Sequence, residues 1–140
     1  MIPAFIRGSI APVFTVFNED RSIDEAGQRN LLDFLMDRGG ISAYFVRSGM
    51  GQMYAYSAED VRLMIELATE HLRGRAPVMA GCSGIWDRNY DRRPDPDRYT
   101  AEAVEFCKFA EDHGVDAAVL TIPEGLAPAG GGRLLLMPLC

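Results

Sequence analysis

The chain has 140 residues, of which 48% are hydrophobic and 24% are charged, a profile typical of a globular domain with its own core. Its formal net charge of −6 argues against a nucleic-acid or anionic-membrane surface, because phosphate binding needs clustered lysines and arginines. No window approaches the roughly 18 consecutive apolar residues of a spanning helix, and the apolar N-terminal segment lacks a basic leader. We therefore expect a cytoplasmic protein with no nucleic-acid or membrane partner.

Cysteine and histidine spacing predicts neither a disulfide framework nor a metal site. The three cysteines are odd in number and widely spaced, which favours reduced thiols: they are Cys82, Cys107 and Cys140. His71 and His113 have no cysteine or histidine partner at metal-ligand spacing. We expect no metal and no cofactor, since Gly49-Met50-Gly51 also lacks the third glycine of a dinucleotide fingerprint.

The first predicted elements are a strand and an amphipathic helix. A strand is expected over Ser9–Phe14 and a helix over Ile23–Asp37. Ser22 and Glu25 have the spacing of a capping box at the start of that helix. Gly39-Gly40 supplies glycines for a left-handed conformation at its end.

The next unit repeats this order of elements. The apolar run Ile41–Val46 predicts a parallel strand covered on both faces. A helix is predicted over Ala58–Arg73, with Ser57 and Asp60 as its N-terminal cap and Gly74 after its end. Five apolar residues at three- and four-residue spacing form its expected inner face: Val61, Met64, Ile65, Ala68 and Leu72.

A third unit completes the pattern. Pro77–Ala80 predicts a strand, Thr100–His113 a helix, and Ala117–Ile122 another strand. Strands that follow helices through tight turns run parallel with right-handed crossovers. The chain is therefore predicted to have an α/β fold of about four parallel strands and three helices, the N-terminal half of a (β/α)8 TIM barrel, since a whole barrel needs about 250 residues. A doubly wound open sheet is the alternative.

The loop after the second strand is the predicted binding site. Ser48, Gly49, Met50, Gly51 and Gln52 follow a buried strand directly and precede a capped helix. Successive backbone amides of such a loop can hold a carboxylate, as anion nests do. The alternative is a plain turn that needs the conformational freedom of glycine.

Several segments, in this order, resemble the dihydrodipicolinate synthase/N-acetylneuraminate lyase family. Residues 8–17, GSIAPVFTVF, are similar to its first strand, G-S-I-x-A-L-V-T-P-F, and the loop of residues 48–52 stands where the family has G-T-T-G-E. Residues 53–57, MYAYS, are similar to the F-Y-A-L-T of members that dehydrate keto-deoxy sugar acids. Ala80-Gly81 and residues 116–123, DAAVLTIP, resemble the third and fourth strands, so that the likeness covers Gly8 to Pro123.

The resemblance implies class I aldolase chemistry, in which a lysine forms a Schiff base with pyruvate or a related 2-keto acid. In the family this lysine and a general-acid tyrosine lie on later strands, which places both beyond Cys140. Lys108, the one lysine of the sequence, falls in the middle of the third helix, and we expect no catalytic residue in this chain. The family's paired threonines correspond to Gly49 and Met50, so only backbone contacts to the carboxylate carry over. Family members also suggest a homo-oligomer.

The loop after the third strand is about ten residues longer than is usual in the family. This segment, Trp86–Tyr99, carries four arginines that either pair with a carboxylate substrate as part of a lid or pair locally with aspartates: Arg88, Arg92, Arg93 and Arg98.

The composition changes at residue 124. Residues 1–123 are predicted to form the partial barrel, and residues 124–140 an atypical tail produced by a truncation or a change of reading frame. The function expected is that of a lyase-family member that lacks its catalytic lysine and is inactive as this chain alone. The alternatives are a non-catalytic half-barrel that self-associates and a small domain that binds organic anions.

Overall fold

The structure, a computed structural model, describes residues 7–126 as a parallel sheet with helices between its strands. The strands are β1 (Ser9–Pro12), β2 (Ile41–Val46), β3 (Val78–Gly81) and β4 (Ala117–Val119). The helices are α1 (Glu25–Arg38), α2 (Ala58–Leu72) and α3 (Pro96–Asp112), with short 3₁₀ turns at Met53–Ala55 and Glu124–Leu126. The strand order is β1-β2-β3-β4 and every pair is parallel, which confirms the predicted α/β arrangement.

Helix α1 begins two residues later than predicted, and its cap is a different residue. Asp24 is the N-cap, and its carboxylate accepts a hydrogen bond from the Gly27 amide at 2.9 Å. The predicted capping box of Ser22 and Glu25 is wrong, because Ser22 instead bonds to Asp20 in the preceding turn. Gly39 and Gly40 both have positive φ, as the C-terminal glycines were expected to have.

Helix α2 agrees with the sequence prediction. Ser57 and Asp60 form the reciprocal capping box, and the five residues predicted to face inward are all buried. The helix ends at Leu72, one residue earlier than predicted, and the following Gly74 has a φ of 71°.

Helix α3 begins four residues before the predicted start. Asp95 accepts from the Arg98 amide at 2.7 Å as the N-cap, and Pro96 occupies the first helical position. Proline suits that position because its missing N–H would have no helical partner there. The segment Trp86–Tyr99, predicted to be a loop throughout, therefore ends in the first turn of α3.

The boundaries of three strands differ from the prediction. β1 ends at Pro12 rather than Phe14, and β3 is shifted to Val78–Gly81. β4 ends at Val119 rather than Ile122, because the Thr121 amide donates to the Ser83 hydroxyl at 2.8 Å instead of continuing the backbone ladder. Thus side chains replace strand pairing at the carboxyl edge of the sheet.

The core is one apolar layer between the sheet and its helices. Tyr44, Val46, Val78 and Ala80 meet residues of α1, α2 and α3 there. The helical members of this buried cluster include Leu32, Val61, Met64, Ile65, Leu67, Ala68, Leu72, Phe106 and Ala110. Burial of this layer fixes the helices on one face of the sheet, while the parallel pairing brings all carboxyl strand ends to one edge.

The predicted boundary at residue 124 stays a prediction, because residues 127–140 lie outside the described residues. Within residues 7–126, no helix combines the length and the apolar character needed to cross a membrane.

An ionic cluster joins α1 to the end of α2 on the outer surface. The Asp33 carboxylate lies 2.7 Å from Arg75 Nη2 and 2.9 Å from His71 Nε2. Hydrogen bonds from Arg75 and then His71 lower the pKa of Asp33 from its ordinary value of 3.8. Such a carboxylate adds stability above its unfolded-state pKa and loses that contribution as the pH falls through its lower folded-state pKa.

We predict that Asp33→Asn lowers the unfolding temperature at neutral pH and weakens its acid dependence. The experiment follows thermal unfolding from about pH 6 to about pH 2.5, the range in which a carboxylate of lowered pKa loses its contribution. Asp37→Asn, an exposed aspartate on the same helix, is the control. Equal pH dependence for wild type and Asp33→Asn would contradict this assignment.

Candidate functional site at the carboxyl ends of the strands

Four loops meet at the carboxyl edge of the sheet. They begin after β1, β2, β3 and β4, and their polar residues include Thr15, Ser48, Ser83 and Thr121. Parallel strands bring these loops to one edge, which is where α/β proteins place ligands. The predicted loop Ser48–Gln52 therefore lies on the face where a site is expected.

Internal hydrogen bonds close the loop of residues 48–52 into a compact turn. Ser48 is 2% exposed, and its hydroxyl accepts from the Gly51 amide at 3.0 Å. The Gln52 amide donates to the Gly49 carbonyl at 3.2 Å, and the Met53 amide donates to the Ser48 carbonyl at 3.2 Å. Among the described residues, the amides of Ser48, Gly49 and Met50 have no such partner. Because Ser48 is buried, the amides of Gly49 and Met50 are the donors that the loop can offer to a ligand.

The alternative interpretation, a plain turn, assumed that the glycines of this loop adopt a positive φ, and they do not. Neither Gly49 nor Gly51 has a positive φ, whereas Arg47 (φ 49°) and Gln52 (φ 61°) do. Gly51 is needed for a close approach, since a Cβ atom there would lie 2.6 Å from the Val13 carbonyl oxygen. Gly49 has open space around it.

A part-buried pair of hydroxyls supports the loop from the side of β1. Thr15 Oγ1 lies 2.6 Å from the Tyr56 hydroxyl oxygen and donates to the Gly51 carbonyl at 2.5 Å. Tyr56 is 3% exposed, and burial raises its pKa to about 12. Its hydroxyl therefore stays protonated at neutral pH and serves as a hydrogen-bond donor.

Arg47 is the main feature that the sequence analysis missed. It follows β2 directly and is 2% exposed. Its Nη1 donates to the carbonyls of Gly81 at 2.9 Å and Ser83 at 2.5 Å, and its Nη2 donates to Gly84 at 3.3 Å. Burial lowers its pKa from the usual value. Two sequence features could have suggested this role for Arg47. An arginine directly follows an apolar strand, and a Gly-x-x-Gly segment, residues 81–84, stands at the end of the next strand.

The ends of β3 and β4 are joined in the same manner. The Ser83 hydroxyl lies 3.0 Å from the Thr121 hydroxyl, and the Tyr99 hydroxyl donates to the Thr121 carbonyl at 3.1 Å. Cys82 is fully buried beside them, and burial raises the pKa of its thiol. A desolvated thiol is unreactive, so Cys82 serves as a packing residue at this edge.

Local pairing accounts for much of the charge in the segment Trp86–Tyr99. Arg92 pairs with Asp87 at 2.9 Å, and Arg98 pairs with Glu102 at 2.8 Å. Arg88 stacks over the Tyr54 ring at 4.7 Å. A depression of about 430 Å³ lies between Trp86, Tyr99, Arg92 and Arg98. A larger one, about 640 Å³, lies at the opposite edge of the sheet, around the ends of α2 and α3, away from the polar strand ends.

The remaining candidate groups lie away from this edge. Lys108 is exposed on α3, as its position in the helix predicted. His71 contacts Asp33, and His113 lies 3.4 Å from Glu66. The described residues contain no group of three or more histidine, cysteine or acidic side chains placed to hold a metal.

A parallel βα array with polar residues at its carboxyl edge is the arrangement of barrel enzymes. Comparisons with known proteins identify the family within this class. Residues 5–123 match the model of the Dihydrodipicolinate synthetase family. The 4-hydroxy-tetrahydrodipicolinate synthase of Dechloromonas aromatica is 33% identical over 118 residues, which are 84% of this chain and 36% of that protein.

Solved structures agree with this match. YagE of Escherichia coli K12, a prophage protein of the dihydrodipicolinic acid synthase family solved in complex with pyruvate, superposes with a TM-score of 0.67 at 27% identity, over 81% of this chain and 33% of that one. The dihydrodipicolinate synthase of Aquifex aeolicus gives a TM-score of 0.67 at 29% identity, over 81% and 33% of the two chains.

The chain belongs to the Dihydrodipicolinate synthetase family, as its motifs indicated. Its elements are the first four strands and three helices of a (β/α)8 barrel, which confirms the predicted fold class over the open-sheet alternative. The chain spans about a third of the length of the relatives it matches.

We predict that Gly51→Ala destabilises the protein by about 1–3 kcal/mol, the usual cost of overpacking, because its Cβ atom would meet the Val13 carbonyl. Gly49→Ala, in open space, should change stability by less than about 0.5 kcal/mol. Urea unfolding measures both. Equal effects of the two substitutions would contradict the close approach at Gly51.

Proposed function

We propose that this chain provides the carboxylate-binding part of a lyase barrel that acts on a pyruvate-like 2-keto acid. The observation that carries this proposal is the compact loop Ser48–Gln52, with the Gly49 and Met50 amides free of partners in the described structure. Two adjacent N–H groups form a short nest suited to one carboxylate. The relative YagE was solved with pyruvate, which supports this class of ligand.

The surroundings of the loop suit an anion. Arg47, the residue before Ser48, carries a positive charge within a desolvated environment, where electrostatic attraction is stronger than in water. The Thr15 hydroxyl donates to the Gly51 carbonyl and is itself bonded to the Tyr56 hydroxyl, so the loop need not rearrange around a ligand. A preorganised loop binds more tightly because less conformational entropy is lost.

Schiff-base chemistry needs an amine that reaches the ligand. Lys108 is the one lysine in the 140 residues, and it is exposed on α3, whereas the loop of residues 48–52 lies at the carboxyl edge of the sheet. We infer that these residues bind a 2-keto acid without forming an imine with it. A catalytic lysine and tyrosine on later strands, as in the family, would complete the reaction.

We also propose self-association as a second function for these residues. β1 and β4 each pair with one neighbour in the described sheet, and Phe14, Leu120 and Ile122 are 57%, 60% and 89% exposed. Open strand edges and exposed apolar side chains favour pairing with another chain. A defined dimer in native mass spectrometry supports a half-barrel that pairs with a second copy, whereas a monomer contradicts it.

We predict that Ser48→Ala weakens pyruvate binding about tenfold, the equivalent of one lost hydrogen bond of about 1.4 kcal/mol. The substitution removes the acceptor of the Gly51 amide and loosens the loop. Isothermal titration with pyruvate measures the effect, with neutral pyruvamide as the ligand control.

Ser57→Ala is the matched protein control for this titration. It breaks the capping box of α2, which costs about 1 kcal/mol of stability, but leaves the loop bonds in place. Pyruvate affinity should then be unchanged. Equal loss of affinity in both variants, or no saturable binding by the wild type, would count against the proposed site.

A further inference from the structure

The buried guanidinium of Arg47 links two strands that are neighbours in the sheet. The residue follows β2 directly, and its three hydrogen bonds reach the carbonyls of Gly81, the last residue of β3, and of Ser83 and Gly84 just after it. Its Nε has no partner in the described structure. Arg47 makes no ion pair within residues 7–126. Backbone carbonyl dipoles, rather than a carboxylate, therefore stabilise this charge.

A buried arginine without an acidic partner is costly. Removing a charge from water carries a large penalty, which only close and well-placed acceptors offset. The backbone of Arg47 is also in the left-handed region, with φ 49°, a conformation that is unfavourable for L-residues. Two unfavourable features at one residue persist only where the surroundings hold it firmly.

The segment that accepts these bonds is shaped to receive them. A Cβ atom at Gly81 would lie 2.3 Å from the Arg47 carbonyl oxygen, so glycine is required for the approach of the two strand ends. A Cβ atom at Gly84 would lie 2.4 Å from the Tyr99 carbonyl oxygen. The sequence Gly81-Cys82-Ser83-Gly84 thus lies tightly between Arg47 and the first turns of α3.

The connection continues to β4 and to the proposed binding loop. Ser83, whose carbonyl accepts from Arg47, receives the Thr121 amide on its hydroxyl at 2.8 Å. On the other side, Arg47 precedes Ser48 in the chain. Arg47 therefore connects the loop of residues 48–52 to the end of β3 and, through Ser83, to the end of β4.

We propose that Arg47 is a positioning residue that holds the loop Ser48–Gln52 in its binding conformation against the ends of β3 and β4. This inference rests on the proposed function of that loop. Three carbonyls in a fixed arrangement require the planar, multidentate guanidinium, which a lysine ammonium does not reproduce. Arg47 does not contact the ligand in this account; it acts through the backbone.

The test compares Arg47→Met, Arg47→Lys and the control Arg62→Met in the full chain. Arg62 lies over the same Phe106 ring as Arg47, at 5.6 Å against 5.4 Å, but it is part-exposed and reaches none of the three carbonyls. Pyruvate affinity is measured by titration. Amide hydrogen exchange is measured at Gly51 and Thr121, with the amides inside α2 as the reference for global stability.

Both Arg47 variants should weaken pyruvate binding by about tenfold or more and speed exchange at Gly51 and Thr121 by a similar factor, as expected for a local opening. Exchange inside α2 should change far less, and Arg62→Met should match the wild type at both sites. If Arg47→Met does not fold, Arg47→Lys decides the question.

Full rescue by lysine would overturn the proposal, because charge alone would then suffice. A uniform rise in exchange across Gly51, Thr121 and α2 would also overturn it, because Arg47 would then contribute only to global stability. If the wild type binds no pyruvate, the proposed function fails, whereas the exchange arm still shows whether Arg47 holds the loop.

Discussion

Parallel pairing of successive strands is the constraint on which the rest of this structure depends. Because β1, β2, β3 and β4 pair in chain order, each return to the sheet needs a helix, and those helices bury one apolar layer on one face. The same constraint brings every strand's carboxyl end to one edge. Residues far apart in sequence, such as Thr15 and Thr121, thereby become parts of one polar edge.

This edge is held by hydrogen bonds from side chains to backbone more than by ion pairs. Arg47, Ser83 and Thr15 each bond to a loop that begins after a different strand. Such bonds are strong in a desolvated setting, and a buried polar group left without a hydrogen-bond partner is destabilising. The charged pairs lie instead on the helix surfaces and in the segment after β3, where solvent weakens them. A rigid edge with few compensating anions is a suitable setting for an anionic ligand.

The sequence predicted those features that depend on local residue patterns, such as the buried face and the cap of a helix. Helical spacing identified the buried face of α2, and Ser57 was correctly placed as its cap. The start of α3 was predicted four residues too late, although Asp95-Pro96 is a local signal for it, a cap followed by a first-turn proline. At α1 two acceptors competed, and Asp24 rather than Ser22 capped the helix, a choice that depends on how the preceding turn closes.

The roles of Arg47 and Gly51 could be recognised only from the tertiary structure. No local pattern states that an arginine after β2 will bond to carbonyls 34 to 37 positions later, or that a glycine is needed because Val13 approaches it. Such contacts depend on strand register. The strand-loop-helix pattern placed the loop of residues 48–52 at the carboxyl edge of the sheet, but the unpartnered amides of Gly49 and Met50 emerged only from the hydrogen-bond pattern.

An amide chemical-shift titration of the chain with pyruvate would show at single residues whether the loop of residues 48–52 binds a carboxylate. We predict saturable shifts that are largest at the Gly49 and Met50 amides, with smaller shifts at Gly51, and none with neutral pyruvamide. Shifts confined to the arginines of segment 86–99, or no saturable shift anywhere, would contradict this prediction.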